Sequence, residues 1–190
     1  MKPKIGIFGS AAGDLTNIIP IARELGDCLS KQDVVLITGA CNGLPYEVVS
    51  TAAQKGSEIW GFSQSANKAD QEKTVHHDTE IYTKLFYVPK DYAFINDLFV
   101  SRKYRNVSST AHCDAGIIIS GRWGSLNEFT NLYDMGKVIG VLTGTGGVAD
   151  ELETLNKKIH KPGKAIVIFD KDPNKLVEEI LEQIEERKKT

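Results

Sequence analysis

No stretch of this chain is apolar over anything near the ~18 residues that a membrane-spanning helix needs. Met1-Lys2-Pro3-Lys4 leads straight into a short apolar run with no small-residue cleavage site after it. Neither a membrane span nor a secretory leader is expected, and the expected compartment is the cytoplasm. Cysteine is scarce: Cys28, Cys41 and Cys113 have no CxxC or other ligand spacing, which argues for reduced thiols rather than a disulfide framework or a metal site. An excess of charge of one sign is missing too. Against 25 Asp and Glu stand 23 Lys and Arg, a formal net charge of −2, so the basic excess of a nucleic-acid-binding surface is lacking and no nucleic-acid partner is expected. No Gly-Lys-Ser/Thr closes a Walker A loop, and there is no proper GxGxxG dinucleotide fingerprint. His76-His77-Asp78 is the nearest approach to a metal-ligand cluster, and adjacent histidines in a polar stretch read as solvent-facing. No metal and no cofactor is expected.

What is present is an ordinary globular composition over a length suited to one domain, 1–190, with 41% hydrophobic and 25% charged residues. Short continuous apolar runs recur: Lys4–Gly9, Asp33–Thr38, Ile59–Phe62, Lys84–Val88, Asp114–Ser120, Val138–Leu142 and Ala165–Phe169. Each reads as a buried strand. Between them, helical spacing is found over Asn17–Ser30 (Ile18, Ile21, Ala22, Leu25, Leu29), Tyr46–Lys55, Asp91–His112, Leu126–Met135 and Asp172–Arg187. Asp172 is placed to cap the last of these, with Pro173 at its first position, and its charged residues read as a solvated face. Ser63 to Glu80 reads as a long polar loop. Strands without polar alternation, alternating with helices, predict a three-layer, doubly wound (Rossmann-like) α/β fold around a parallel sheet.

Four of the strands end in glycine-bearing turns: Gly9-Ser10, Thr38-Gly39, Ser120-Gly121 and Thr143-Gly144. In an open parallel sheet the carboxyl ends share one edge, so these turns face one crevice. Glycine allows close approach of a ligand, and a following helix start offers unpaired N–H groups. That combination holds a phosphate without a metal. The run Ser120-Gly121-Arg122-Trp123-Gly124-Ser125-Leu126-Asn127-Glu128 carries the most information. Glu128 is expected in the first helical turn, where it either favours the helix dipole, closes a capping box with Ser125, or points into the crevice. Ser101-Arg102-Lys103-Tyr104-Arg105-Asn106 brings cations towards the same edge, or lies on a solvated helix face. Cys41 is either a small residue tolerated in a turn or a thiol near the ligand; Trp123 either stacks on a base or, the preferred reading, packs between helices.

At these residues the chain resembles the LOG ("lonely guy", lysine-decarboxylase-like) phosphoribohydrolases, whose motif is PGGxGTxxE. Residues 120–128 keep both outer glycines and the closing glutamate. Arg105-Asn106 stands where the family has an Arg-Lys pair, and Gly39-Ala40-Cys41-Asn42-Gly43-Leu44 matches its earlier glycine turn. The likeness runs from Ile5 to about Glu151. It is closest to a LOG-like Rossmann branch that also includes the molybdenum cofactor carrier protein. The departures are Ser120 for Pro, Arg122 for Gly, Ser125 for Thr and Asn106 for Lys.

Two functions follow from the resemblance. The first is hydrolysis of the N-glycosidic bond of a nucleoside 5′-monophosphate to free base and ribose 5-phosphate. Arg105 and Glu128 would be catalytic, and Gly9, Ser10, Gly39, Gly43, Gly121, Arg122, Gly124 and Ser125 would bind phosphate or nucleotide. The second is a non-catalytic nucleotide- or molybdenum-cofactor-binding or carrier protein built on the same pocket. The resemblance also implies a homo-oligomer, dimer or tetramer, with the long helix ending near His112 at its interface.

Overall fold

The computed structural model describes residues 1–75, 77–159 and 161–189. Seven strands form one sheet: β1 (Lys4–Gly9), β2 (Val35–Thr38), β3 (Glu58–Phe62), β4 (Lys84–Phe86), β5 (Ala115–Ile119), β6 (Val138–Leu142) and β7 (Ile166–Asp170). Their order across the sheet is β4-β3-β2-β1-β5-β6-β7, and every neighbouring pair is parallel. The chain winds outwards from β1 in one direction through β4, then returns to the other side of β1 as β5. A crevice therefore opens beyond the carboxyl ends of β1 and β5.

Both faces of the sheet are covered, as the unalternating strands require. Ile5, Ile7, Leu36, Ile59, Ile117 and Ile119 point to one face, where they pack with α1 (Ile19–Ser30), α2 (Leu44–Ala53) and α7 (Pro173–Lys188). Phe8, Ile37, Phe62, Ile118, Ile139 and Val141 point to the other. There they meet α5 (Trp123–Asp134), α6 (Val148–Lys158) and the end of α4 (Leu98–His112). The result is the doubly wound parallel architecture expected of the sequence. Among the described residues no helix is long and apolar enough to cross a membrane.

Several boundaries differ from the sequence reading. The polar run 63–80 is no plain loop but contains α3 (Lys68–Thr74), capped by Asn67, whose side-chain oxygen accepts the Asp70 N–H at 3.0 Å. Only Gln71 of that helix is buried, so no apolar period marks it. The helix expected from Asp91 begins at Leu98. Asp97 caps it by accepting the N–H groups of Phe99 and Val100, while 91–97 form tight turns. Helix α6 was not anticipated, and β4 stops two residues early. Asp172 caps α7 as expected, accepting from Asn174 and Lys175, with Pro173 following.

β1 and β5 approach so closely that a Cβ on Gly9 would lie 2.3 Å from the Ile119 carbonyl oxygen, a backbone atom that cannot give way. Gly9→Ala should therefore lower the free energy of unfolding by about 2–3 kcal/mol, as for an overpacked core, measured from urea denaturation. An unchanged midpoint would show that the two strand ends can separate without cost.

Candidate functional site

The crevice at the switch between β1 and β5 is a cavity of about 370 Å³, a size suited to a small molecule. Its walls come from the turns after β1, β2 and β5, the start of α5, one face of α4, and Thr74-Val75 behind α3. Gly9, Ser10, Gly39, Arg105, Arg122, Gly124, Ser125 and Glu128 all line it. Gly43 and Gly121 do not. They shape the turns instead, with φ of 83° and 103°, and a Cβ on Gly43 would press on the Ser10 carbonyl oxygen at 2.3 Å. A second, wider cavity of about 580 Å³ lies at the opposite edge of the sheet, between Lys4, Lys137 and Arg187. No carboxyl end of a strand opens there.

The β1 and β5 turns are knitted together by small hydroxyls. Ser10 Oγ accepts the Gly121 N–H at 2.9 Å and lies 3.1 Å from Ser120 Oγ. Ser120 donates its N–H to Thr145 Oγ1 at 2.8 Å, and its carbonyl accepts from Ala149. These bonds hold Ser120 at φ 53°, a left-handed conformation that a side chain rarely adopts. On the β2 side Ala40 has φ 45°, and its carbonyl accepts from the buried Gln71 side chain at 2.6 Å. Gln71 in turn accepts from Ser63 Oγ. Helix α3 is thus anchored to the β2 turn.

Helix α5 starts at Trp123, three residues earlier than expected, with Arg122 as an N-cap whose side chain caps nothing. Leu126 N–H is the first to reach a carbonyl, that of Arg122. The amides of Trp123, Gly124 and Ser125 have no acceptor among the described residues, as is inherent to a helix start without a capping side chain. Ser125 is 3% exposed and lines the cavity, yet its hydroxyl makes no hydrogen bond among the described residues. Gly124 has a further peculiarity. Its φ is not positive and a Cβ would meet nothing within 4 Å, so neither backbone nor packing requires glycine there.

Glu128 falls in the second turn of α5, not the first, and forms no capping box with Ser125. Its carboxyl is buried beside Arg105, with Oε1 3.8 Å from Nη2. Arg105 is itself held elsewhere. Its Nε and Nη2 donate to Asn106 Oδ1 at 3.1 and 2.7 Å, and its Nη1 donates to the Gly39 carbonyl at 3.0 Å. The guanidinium lies so flat on Gly39 that a Cβ there would come within 2.9 Å of it. Asn106, buried at 2% exposure, donates onward to Asn127. The asparagine in the LOG lysine position therefore aims the arginine. Burial pushes the Glu128 carboxyl up to about 7, against the opposing pull of Arg105 and Lys103. Burial likewise pushes the Cys41 thiol up, so this lining thiol is held neutral.

Other readings need correction. Trp123 does not pack between helices: it is 83% exposed at the start of α5. Arg102, one helical turn before Arg105 on α4, shares its face and lines the cavity, donating from Nε to Gln64 at 2.8 Å. That spacing was visible in the basic run, but nothing in the sequence marks Gln64 or Gln71. In the stretch His76-His77-Asp78, His76 lies outside the described residues and His77 stacks on Tyr46 with ring centroids 3.9 Å apart. Among the described residues no cluster of His, Cys, Asp and Glu could hold a metal ion.

The profile of the SLOG cluster4 family matches residues 2–177. No curated protein matches. Among solved structures, TM1055 superposes with a TM-score of 0.74 at 18% identity, covering 96% of this chain and 99% of its own. The molybdenum cofactor binding protein of the phototrophic bacterium Rippkaea orientalis gives 0.67 at 17%, covering 97% and 98%. DNA processing protein A of Helicobacter pylori, known for a single-stranded DNA binding mode, gives 0.64 at 18%, covering 95% and 81%. The expectation of no nucleic-acid partner is overturned by that last likeness. Net charge averages over the whole chain, whereas Arg102, Arg105 and Arg122 gather around one cavity.

The raised Glu128 carboxyl has a consequence for stability. Unfolding returns it to its ordinary value of 4.5. Between 4.5 and about 7 the folded protein holds a proton that the unfolded chain releases, so stability falls as pH rises through that window. Above it the cost is on the order of 3 kcal/mol. Glu128→Gln should be more stable than the parent by that order at pH 8, and the gain should vanish towards pH 4.5 in urea titrations. A difference that does not change with pH would contradict the buried, ionised carboxylate.

Proposed function

We propose that this chain, which belongs to the SLOG cluster4 family, binds a nucleoside 5′-phosphate in the β1–β5 crevice and hydrolyses its N-glycosidic bond. The observation that carries the reading is the conjunction at α5: three unaccepted amides and a free, buried Ser125 hydroxyl at its start, and a carboxyl with a pKa of about 7 one turn on. The amides of Gly124 and Ser125 and the Ser125 hydroxyl would hold the phosphate. Gly124 lacks a side chain so that phosphate oxygens can reach its backbone. The turns at Gly9-Ser10 and Gly39 would face the sugar, with Gly43 and Gly121 setting their shape.

Glu128 would then lie by the ribose. As the bond from C1′ to the base nitrogen breaks, the sugar gains positive charge, which a carboxylate stabilises. The same carboxylate can orient a water molecule towards C1′ and accept its proton, and its position near neutrality suits that exchange. Arg105, fixed by Asn106 and Gly39, would keep Glu128 ionised when the site is filled. The proton taken from that water would pass on to the departing base nitrogen, and base and ribose 5-phosphate would leave.

A second reading, a non-catalytic nucleotide or molybdenum-cofactor carrier, is favoured by one feature. Arg122 puts a side chain at the pocket where the LOG motif keeps bare backbone, and a protein of similar fold binds the molybdenum cofactor.

Incubation with a panel of nucleoside 5′-monophosphates, with free base followed by chromatography, tests the reading. Base release is expected, falling about 10²-fold or more in Glu128→Ala. Gly124→Ala should leave stability unchanged or raise it by up to ~1 kcal/mol, while weakening nucleotide binding about tenfold. No release, together with thermal stabilisation by one of the same nucleotides, would overturn the hydrolase and leave the carrier.

A further inference from the structure

We propose that the preferred ligand of this pocket carries two phosphates joined by a bridging oxygen, as in a nucleoside diphosphate, and that Arg102 and Arg122 form the subsite for the second. The proposal rests on the phosphate reading of the α5 start and names the ligand class within it.

Three arginines line the cavity. Arg105 donates to Asn106 and Gly39 and stands beside Glu128. Arg102 donates from Nε to Gln64 and has its Cζ 5.7 Å from the Phe99 ring centroid, while neither of its Nη groups has a protein acceptor among the described residues. The side chain of Arg122, which directly precedes α5, makes no hydrogen bond or ion pair among the described residues. Arg102 and Arg122 reach one cavity from separate elements, α4 and the turn after β5.

Among the described residues the lining has one carboxyl to offset them, Glu128, which burial pushes up to about 7. Such an excess of positive charge, in a chain of net charge −2, exceeds what one phosphate held by backbone amides needs. The amides of Gly124 and Ser125 suffice for a first phosphate. A guanidinium offers paired N–H donors matched to two oxygens of one phosphate, which backbone amides do not. Arg122 sits two residues from Gly124, so a phosphate bonded to it can be the direct neighbour of one on the α5 amides.

Isothermal titration of the full chain with nucleoside mono- and diphosphates of each common base, and with a 5′-phosphorylated dinucleotide, tests this. The diphosphate of the preferred base should bind at least tenfold tighter than its monophosphate. Arg122→Gly and Arg102→Gln should each remove most of that ratio, mainly by weakening the diphosphate; a ratio kept in both variants would overturn the second subsite. Unchanged far-UV circular dichroism and melting temperature show that the variants are folded. Equal affinities for mono- and diphosphate in the parent would overturn the second subsite while leaving the phosphate reading intact. Tighter binding of the dinucleotide than of the diphosphate would also overturn it, since its phosphates are separated by a sugar. No binding of any phosphate compound would sink both.

Discussion

A carboxyl group buried beside a guanidinium whose donors are turned elsewhere is the arrangement on which the rest of this pocket depends. Glu128 loses its hydration inside the crevice, and Arg105 offers it a charge at 3.8 Å rather than a direct hydrogen bond. A bidentate ion pair would have held the carboxylate low and fixed. By letting Asn106 and the Gly39 carbonyl take the guanidinium, the protein leaves Glu128 near neutrality, able to hold or release a proton. Gly39 and Asn106 thus set the state of Glu128 through Arg105. One leaves room for the arginine and the other aims it.

The sheet supplies the frame. Winding from β1 outwards and back to β5 places four loop starts on one edge, and the strained residues Ala40 and Ser120 sit in two of them. Each is pinned by hydrogen bonds from distant parts of the chain, Gln71 on α3 for one and Thr145 and Ala149 for the other. Strain of this kind, about 1–3 kcal/mol per residue, persists only where the surroundings over-determine it. Here it shapes turns that bring Ser10, Gly39 and the start of α5 to one cavity. The orphan amides of α5 are the complementary feature: a helix start left without a protein cap, beside a free hydroxyl and a glycine that packing does not demand.

Much of this was legible in the chain. Continuous apolar strands ending in glycine turns dictate a covered parallel sheet, and the order of strands and helices follows. The spacing of Gly124, Ser125 and Glu128 puts all three on one cavity because a helix start leaves little freedom over five residues. What escaped has physical causes. Helix α3 buries only Gln71, so it has no apolar period. Helix α6 buries Ala149 and Leu152, but Asp150, Glu151 and Glu153 dilute their spacing, and its N-cap is hidden in a run of glycines. Asn106 looks like a loss of charge in sequence, and its role depends on Arg105 folding back onto it. The exposure of Trp123 depends on where α5 begins, which shifts by three residues once Arg122 is its N-cap. Net charge, finally, says nothing of where three arginines converge.

The central claim is that a ligand phosphate rests on the start of α5 with the sugar turned towards Glu128. A crystal structure of the protein with a bound nucleoside 5′-monophosphate tests it most directly. Phosphate oxygens should lie within hydrogen-bond distance of the Gly124 and Ser125 amides and the Ser125 hydroxyl, with C1′ facing the Glu128 carboxyl. A nucleotide seated instead in the basic cavity at the opposite edge, between Lys4, Lys137 and Arg187, or with its phosphate on Arg105 and its base against α5, would contradict it.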